Sequence, residues 1–230
     1  MREERGDEVD VIALYELVAA SRGLPRPEDL PVEERLELAW RALRAIDPTF
    51  ELREESGREP EPISLVPYDP AWPALFERWR HKLLAALPGA PRSVEHVGST
   101  AVPGLAAKPV IDIQVGVEDL EDESSYAPAI EALGVQLRSR DREHRYFRPF
   151  AGLAREVHVH VCQAGGEWER RHLVFRDYLR ADADARRRYA EAKEAAVSRW
   201  SDDRIAYTHA KGAAIRELTA EAERWSAGRT

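Results

Sequence analysis

The spacing of apolar and polar positions divides the chain into a helical start, a strand-rich middle and a helical end. Val9 to Ala20 places Val11, Leu14, Tyr15 and Val18 at helical spacing, and Pro31 to Ile46 places Leu36, Ala39, Leu43 and Ile46 on one face. Glycine and prolines in SRGLPRP stop the first helix, Pro31 suits the first turn of the second, and Pro48 lies beyond its end. Helices of this size bury little area alone and are expected to dock on something larger. REESGREPEP, polar and proline-bearing, reads as a linker. The expected organisation is a helical extension over residues 1–50, a linker over 51–62 and a main domain over 63–230.

In the main domain ISLVPY alternates as a short strand, followed by a helix with Asp69 as N-cap and Pro70 at its first position. Trp72, Leu75, Phe76, Trp79, Leu83 and Leu87 form its apolar stripe, and PGAP ends it. SVEHV and PVIDIQVGV read as strands, Tyr126 to Leu133 as a helix, and VQLRSR, HRYFRPF and REVHVHVCQ as further strands. From Trp168 onward three helical stretches follow. Strands alternating with helices before a helical tail predict an α/β fold, a mixed sheet covered by helices.

Strand alternation sorts the chemistry. In PVIDIQVGV, Val110, Asp112 and Gln114 share one face while Ile111, Ile113 and Val115 share the other. In REVHVHVCQ, Val157, Val159 and Val161 oppose Glu156, His158, His160 and Cys162. If these strands are neighbours, Asp112, His158 and His160 converge. A carboxylate with two imidazoles can hold a divalent cation, and the histidines favour manganese or zinc over magnesium. They could equally serve as general acid–base groups or phosphate donors, or make ordinary hydrogen bonds on a half-exposed sheet face. Cys162 reads as a free cysteine without a catalytic role.

A second candidate precedes that strand. Gly98-Ser99 ends SVEHV, and Ser99-Thr100 begins a helical turn, a place that suits phosphate oxygens or a plain N-cap. Its coupling to Asp112 across residues 100–111 favours the phosphate reading. Lys108 and Arg145 flank the expected site and are the cations expected to meet a phosphate. Arg176 and Arg180, four apart on a helix, and Lys211 read more simply as solvated or paired side chains.

Charge adds exclusions. The net charge is -8, and residues 1–62, with 17 acidic and nine basic side chains, account for all of it. Neither part shows the basic excess of a sequence-independent nucleic-acid binder. The acidic extension could instead dock a protein partner or a second copy of the chain. No apolar run approaches membrane length, and the charged N-terminus, MREERGDEVD, lacks a signal core. With one cysteine there is no internal disulfide, which suits a cytoplasmic location. Lysine occurs only at 82, 108, 193 and 211, a bias that carries little weight by itself.

Val97, Gly98, Ser99, Ile111, Asp112 and Ile113 resemble the signature of the nucleotidyltransferase superfamily. EHVGSTAVPGLAAKPVIDIQV, HVHV, RRHLVFRDYLR, RYAEAKEAA and AYTHAKGAAI are similar, in order, to blocks of the GrpB family over about residues 63–225. The resemblance implies a nucleotidyltransferase-like core that takes a nucleoside triphosphate and divalent metal (Mg, Mn or Zn). It would transfer a nucleotidyl group to a small-molecule acceptor or adenylylate it. Gly98, Ser99 and Thr100 would hold phosphate, and Asp112 would bind metal, with His158 and His160 completing the metal site or moving a proton. Gln114 stands where that pattern has its second carboxylate, leaving open a single-metal site or a non-catalytic nucleotide-binding module. Domains of this family fused to dephospho-coenzyme A kinase suggest a link to coenzyme A metabolism.

Overall fold

The apolar faces of the middle strands merge into one side of a single mixed sheet. The computed structural model of the protein describes residues 48–53, 62–87, 89, 91–202 and 204–229. The two expected N-terminal helices and linker residues 54–61 lie outside the described residues. The strands are β1 (Glu51–Leu52), β2 (Pro91–Val97), β3 (Ile111–Val117), β4 (Val135–Arg140), β5 (His144–Pro149) and β6 (Val157–Gln163). They stand in the order β1-β4-β5-β6-β3-β2. β3 and β6 run parallel, and the other neighbouring pairs are antiparallel.

Helices cover both sides. On the apolar face lie α1 (Trp72–Ala86) and the short α2 (Ala127–Glu131). The stripe of Trp72, Phe76, Trp79 and Leu83, continued by Leu87, shares one core with Ile111, Ile113, Val115, Val157, Val159 and Val161. Each such side chain taken fully from water contributes about 1.5–3 kcal/mol, so this layer dominates the domain's stability. The tail forms α3 (Glu167–Ala181), α4 (Ala183–Trp200), α5 (Arg204–Ala210) and α6 (Gly212–Ala227). A second core of Leu105, Tyr178, Leu179, Tyr189 and Leu218 ties the tail to the loop between β2 and β3. The Asp182 carboxylate caps α4 by accepting from Ala185 N at 2.9 Å. No described helix is long and apolar enough to cross a membrane.

Several expected elements differ. ISLVPY is not a strand: it makes one isolated bridge, Val66 to Ala107, and Pro67 has no N–H to extend a ladder. Asp69 does not cap the helix. Its carboxylate accepts from Ala71 N at 2.8 Å in a local turn, and α1 starts at Trp72 with Pro73 in its first turn. The expected linker begins too early, because Glu51–Leu52 pairs with β4 and Phe50 beside it is buried. The helix expected over 126–133 is confined to α2, preceded by a 3-10 turn at Glu123–Ser125. The last tail helix divides between Ala210 and Gly212, and glycine is the weak point of its helical pattern.

Candidate functional site

The register fixes what meets on the polar face. Asp112 lies directly across from His158, and Gln114 from His160. His158 Nδ1 sits 3.0 Å from Asp112 Oδ1, and His160 Nε2 sits 3.8 Å from the same oxygen. One ligand atom from each of the three side chains falls within 4.8 Å of the others. These are the three residues whose convergence strand alternation predicts. β5 adds Tyr146, whose ring centroid lies 5.2 Å from both imidazoles. The first turn of α3 adds Trp168, stacked on His144, His160 and His172.

The protonation states suit cation binding. Burial would raise the Asp112 pKa, yet the hydrogen bond from His158 and the nearness of His160 hold it well below the usual carboxylate range. His158 is pushed below its ordinary value because burial outweighs the nearby carboxylate. At neutral pH the pair is therefore an ionised carboxylate beside a neutral imidazole, the forms that ligate metals. His158 Nε2 and His160 Nδ1 are buried and have no hydrogen-bond partner. A divalent ion fits Asp112 with one nitrogen from each imidazole, His160 offering the Nε2 that faces the carboxylate, and two imidazoles favour zinc or manganese.

The Gly98-Ser99 turn sits against the same carboxylate. Gly98 has φ +69°, and a Cβ there would run into Asp112 Oδ2. Only glycine combines that backbone angle with such close approach. Ser99 then begins a 3-10 turn, Ser99–Ala101. From α4, Lys193 Nζ donates to Ser99 Oγ at 3.2 Å and to the Ala106 carbonyl. Lys193 is 2 % exposed. Burial first, then the charges of Lys211 and Lys108, lower its pKa to about 7. Lys108 and Lys211 lie against the Tyr207 ring, with their Nζ atoms 5.2 Å and 5.0 Å from its centroid. Three of the chain's four lysines thus gather near the turn, and the Lys108 charge also reaches His158.

Two expected phosphate ligands are elsewhere occupied. Thr100 is 1 % exposed, and its hydroxyl donates to Val110 O at 3.2 Å and accepts from His96 Nε2 at 3.0 Å. Arg145 pairs with Val161 and therefore lies on the opposite, apolar parity of the sheet. It is bound there by Glu121 at 2.8 Å, Glu123 at 2.5 Å and the Asp141 carbonyl. Arg176 is paired with Glu95 and Asp177, and Arg180 donates to Ala101 O at the end of the turn. Cys162 is buried, and its thiol is pushed up to about 12 by burial. Gln114 is fully buried beneath α3, donating to Glu169 O at 3.4 Å.

Sequence reasoning missed Lys193, which lies in the middle of an ordinary helical pattern. Its rarity was the available signal: a chain with 34 basic residues has lysine at only four positions, and three of these meet at one place. Tyr146 and Trp168 were missed because neither strand pairing nor helix placement can be read from one segment.

The family model described as GrpB protein matches residues 62–221. A UPF0157 protein of Streptomyces coelicolor is 43% identical over 166 residues, covering 72% of this chain and 87% of that protein. A protein of Mycolicibacterium paratuberculosis named dephospho-CoA kinase is 33% identical, over 72% of this chain but only 47% of that protein. The crystal structure of the conserved protein GrpB from Enterococcus faecalis superposes with a TM-score of 0.63 at 33% identity, covering 70% of this chain and 99% of that one.

Proposed function

The chain belongs to the GrpB family, and on that premise we propose that it binds a nucleoside triphosphate with a single divalent metal ion and transfers a nucleotidyl group to a small-molecule acceptor. One observation carries this reading. The Gly98 turn lies directly over Asp112, with the ammonium of Lys193 on its other side at Ser99. A phosphate at the turn would meet a metal-ligating carboxylate on one side and a cation on the other. Asp112, His158 and His160 would hold the ion, which when bound neutralises charge developing at the α-phosphate.

The chain's own residues would do the rest. Ser99 and Lys193 hold the phosphates, while Lys108 and Lys211 supply longer-range attraction. Trp168 and Tyr146 cover the histidines and limit water. In the transfer, the acceptor oxygen forms a bond to the α-phosphorus and the bond to pyrophosphate breaks. A hydroxyl acceptor releases its proton to solvent, because both imidazoles of the face are committed to the ion. The relative named dephospho-CoA kinase makes coenzyme A precursors the first acceptors to try.

Glutamine rather than an acid at position 114 favours a second reading, a nucleotide-binding module without turnover, because β3 then offers the site one carboxylate rather than two. Titrating ATP with and without Mn²⁺, then assaying pyrophosphate release with a panel of acceptors, separates the two. Turnover lost in Asp112→Ala supports the enzyme. Binding without turnover, with or without Mn²⁺, supports the module, and no ATP binding at all rejects both.

A further inference from the structure

The place where a second carboxylate would stand has a use of its own, and it concerns two buried atoms that lack partners. His160 presents Nε2 towards Asp112, so its Nδ1 is turned away from the metal-binding set. That Nδ1 is buried with no hydrogen-bond partner. On the neighbouring strand Gln114 stands directly across from His160 and on the same face of the sheet. Its Oε1 is also buried with no partner. Most buried polar atoms are satisfied, so two orphans on paired residues call for a common explanation.

We propose that Gln114 is the positioning residue for His160: when a divalent ion is held by His160 Nε2, Gln114 Oε1 accepts the hydrogen bond from His160 Nδ1–H. The inference rests on the metal site proposed above. A neutral imidazole that gives its Nε2 lone pair to a cation must carry its proton on Nδ1, and that proton needs an acceptor in a buried place. The amide orientation is set independently. Glu169 O can only accept, so the Gln114 atom 3.4 Å from it is Nε2, and Oε1 is the end left for the imidazole. A carboxylate at this position could accept from His160 but could not donate to Glu169 O. A buried amide meets both demands without burying a charge, which is a physical reason for glutamine where the family resemblance leads one to look for an acid.

The test uses the full chain and Zn²⁺ alone. In the zinc-loaded wild type, long-range ¹H–¹⁵N spectra should show His160 protonated at Nδ1, with that proton slow to exchange. Gln114→Met should bind Zn²⁺ about 10–100-fold more weakly. Gln114→Glu should keep the affinity within a few-fold of wild type while lowering the melting temperature, a split that a merely structural role would not produce. A His160 proton on Nε2 in the zinc-loaded wild type overturns the inference, and that measurement stands even if a variant fails to fold. Gln114→Met binding Zn²⁺ as tightly as wild type overturns it too, with the metal site intact. Wild type that binds no Zn²⁺, or binds it equally after Asp112→Ala, instead removes the site on which the inference rests.

Discussion

The ammonium of Lys193 donates to the hydroxyl of Ser99 at 3.2 Å, across 94 positions of sequence. A lysine this deeply buried opposes folding unless it is neutral or meets an anion. Its pKa falls from 10.5 in the unfolded chain to about 7 in the folded one. Between those values only the unfolded state keeps the proton, so stability should rise with pH through that window, by about 1 kcal/mol per pH unit. Thermal melts at pH 7 and pH 9 should show this rise in wild type and not in Lys193→Met. The same variant should weaken ATP binding by at least about tenfold, the scale of one lost charge-assisted contact. Equal ATP affinity would remove Lys193 from the site.

Gly98→Ala tests the turn. The substitution puts a side chain at φ +69° and into the Asp112 carboxylate. The backbone angles alone, φ 69° with ψ -173°, cost about 1–3 kcal/mol for any residue but glycine. Displacing Asp112 should also reduce Zn²⁺ affinity, although residue 98 offers no ligand atom. Isothermal titration reads the second effect and chemical denaturation the first.

His96 predicts loss of stability in mild acid. It is stacked on Phe76 at 4.9 Å and donates to Thr100. Burial chiefly, with the charges of Arg180 and Arg176, lowers its pKa from 6.5 to about 4. Between those values only the unfolded chain takes up the proton, so stability falls as pH drops from 6.5 to 4, by about 3 kcal/mol from this group. His158, also held low, acts in the same direction. His96→Leu should flatten part of the acid limb in urea melts collected across pH 4–7. An unchanged limb would mean that His96 is not the titrating group.

Arg145 separates stability from binding. It is 3 % exposed and tied to Glu121, Glu123 and Asp141. Arg145→Leu should cost about 3 kcal/mol or more by stranding a part-buried carboxylate, and leave Zn²⁺ and ATP affinities unchanged. A binding defect larger than the stability defect would return it to the site.

The legible parts of the sequence were those governed by local period. Two-residue alternation placed Asp112 apart from Ile111 and Ile113, and His158 and His160 apart from Val157, Val159 and Val161. The α1 stripe was equally plain, because Trp72, Phe76, Trp79 and Leu83 repeat at helical spacing. What could not be read depends on tertiary placement. Arg145 lies on a strand beside the expected site, but one step of register sends its side chain to the other side of the sheet. Thr100 has the composition of a phosphate ligand, and only the nearness of Val110 O and His96 shows that its hydroxyl is occupied. Lys193 needed the packing of α4 against the β2–β3 loop before it could meet Ser99.

The parallel pairing of β3 with β6 has a consequence for folding and opening. β2 and β3 form one antiparallel unit, and β4, β5 and β6 form another, each stitched largely by near neighbours. Asp112 and the Gly98 turn belong to the first unit, His158 and His160 to the second, and 46 positions separate the residues that touch across the join. Such a join closes late, because its loop must be ordered before its contacts form. A ligand spanning it would oppose the sub-global opening that parts the units. Amide exchange at Ile113 and Val159 should therefore slow on Zn²⁺ addition, while exchange within the β4–β5 hairpin should not.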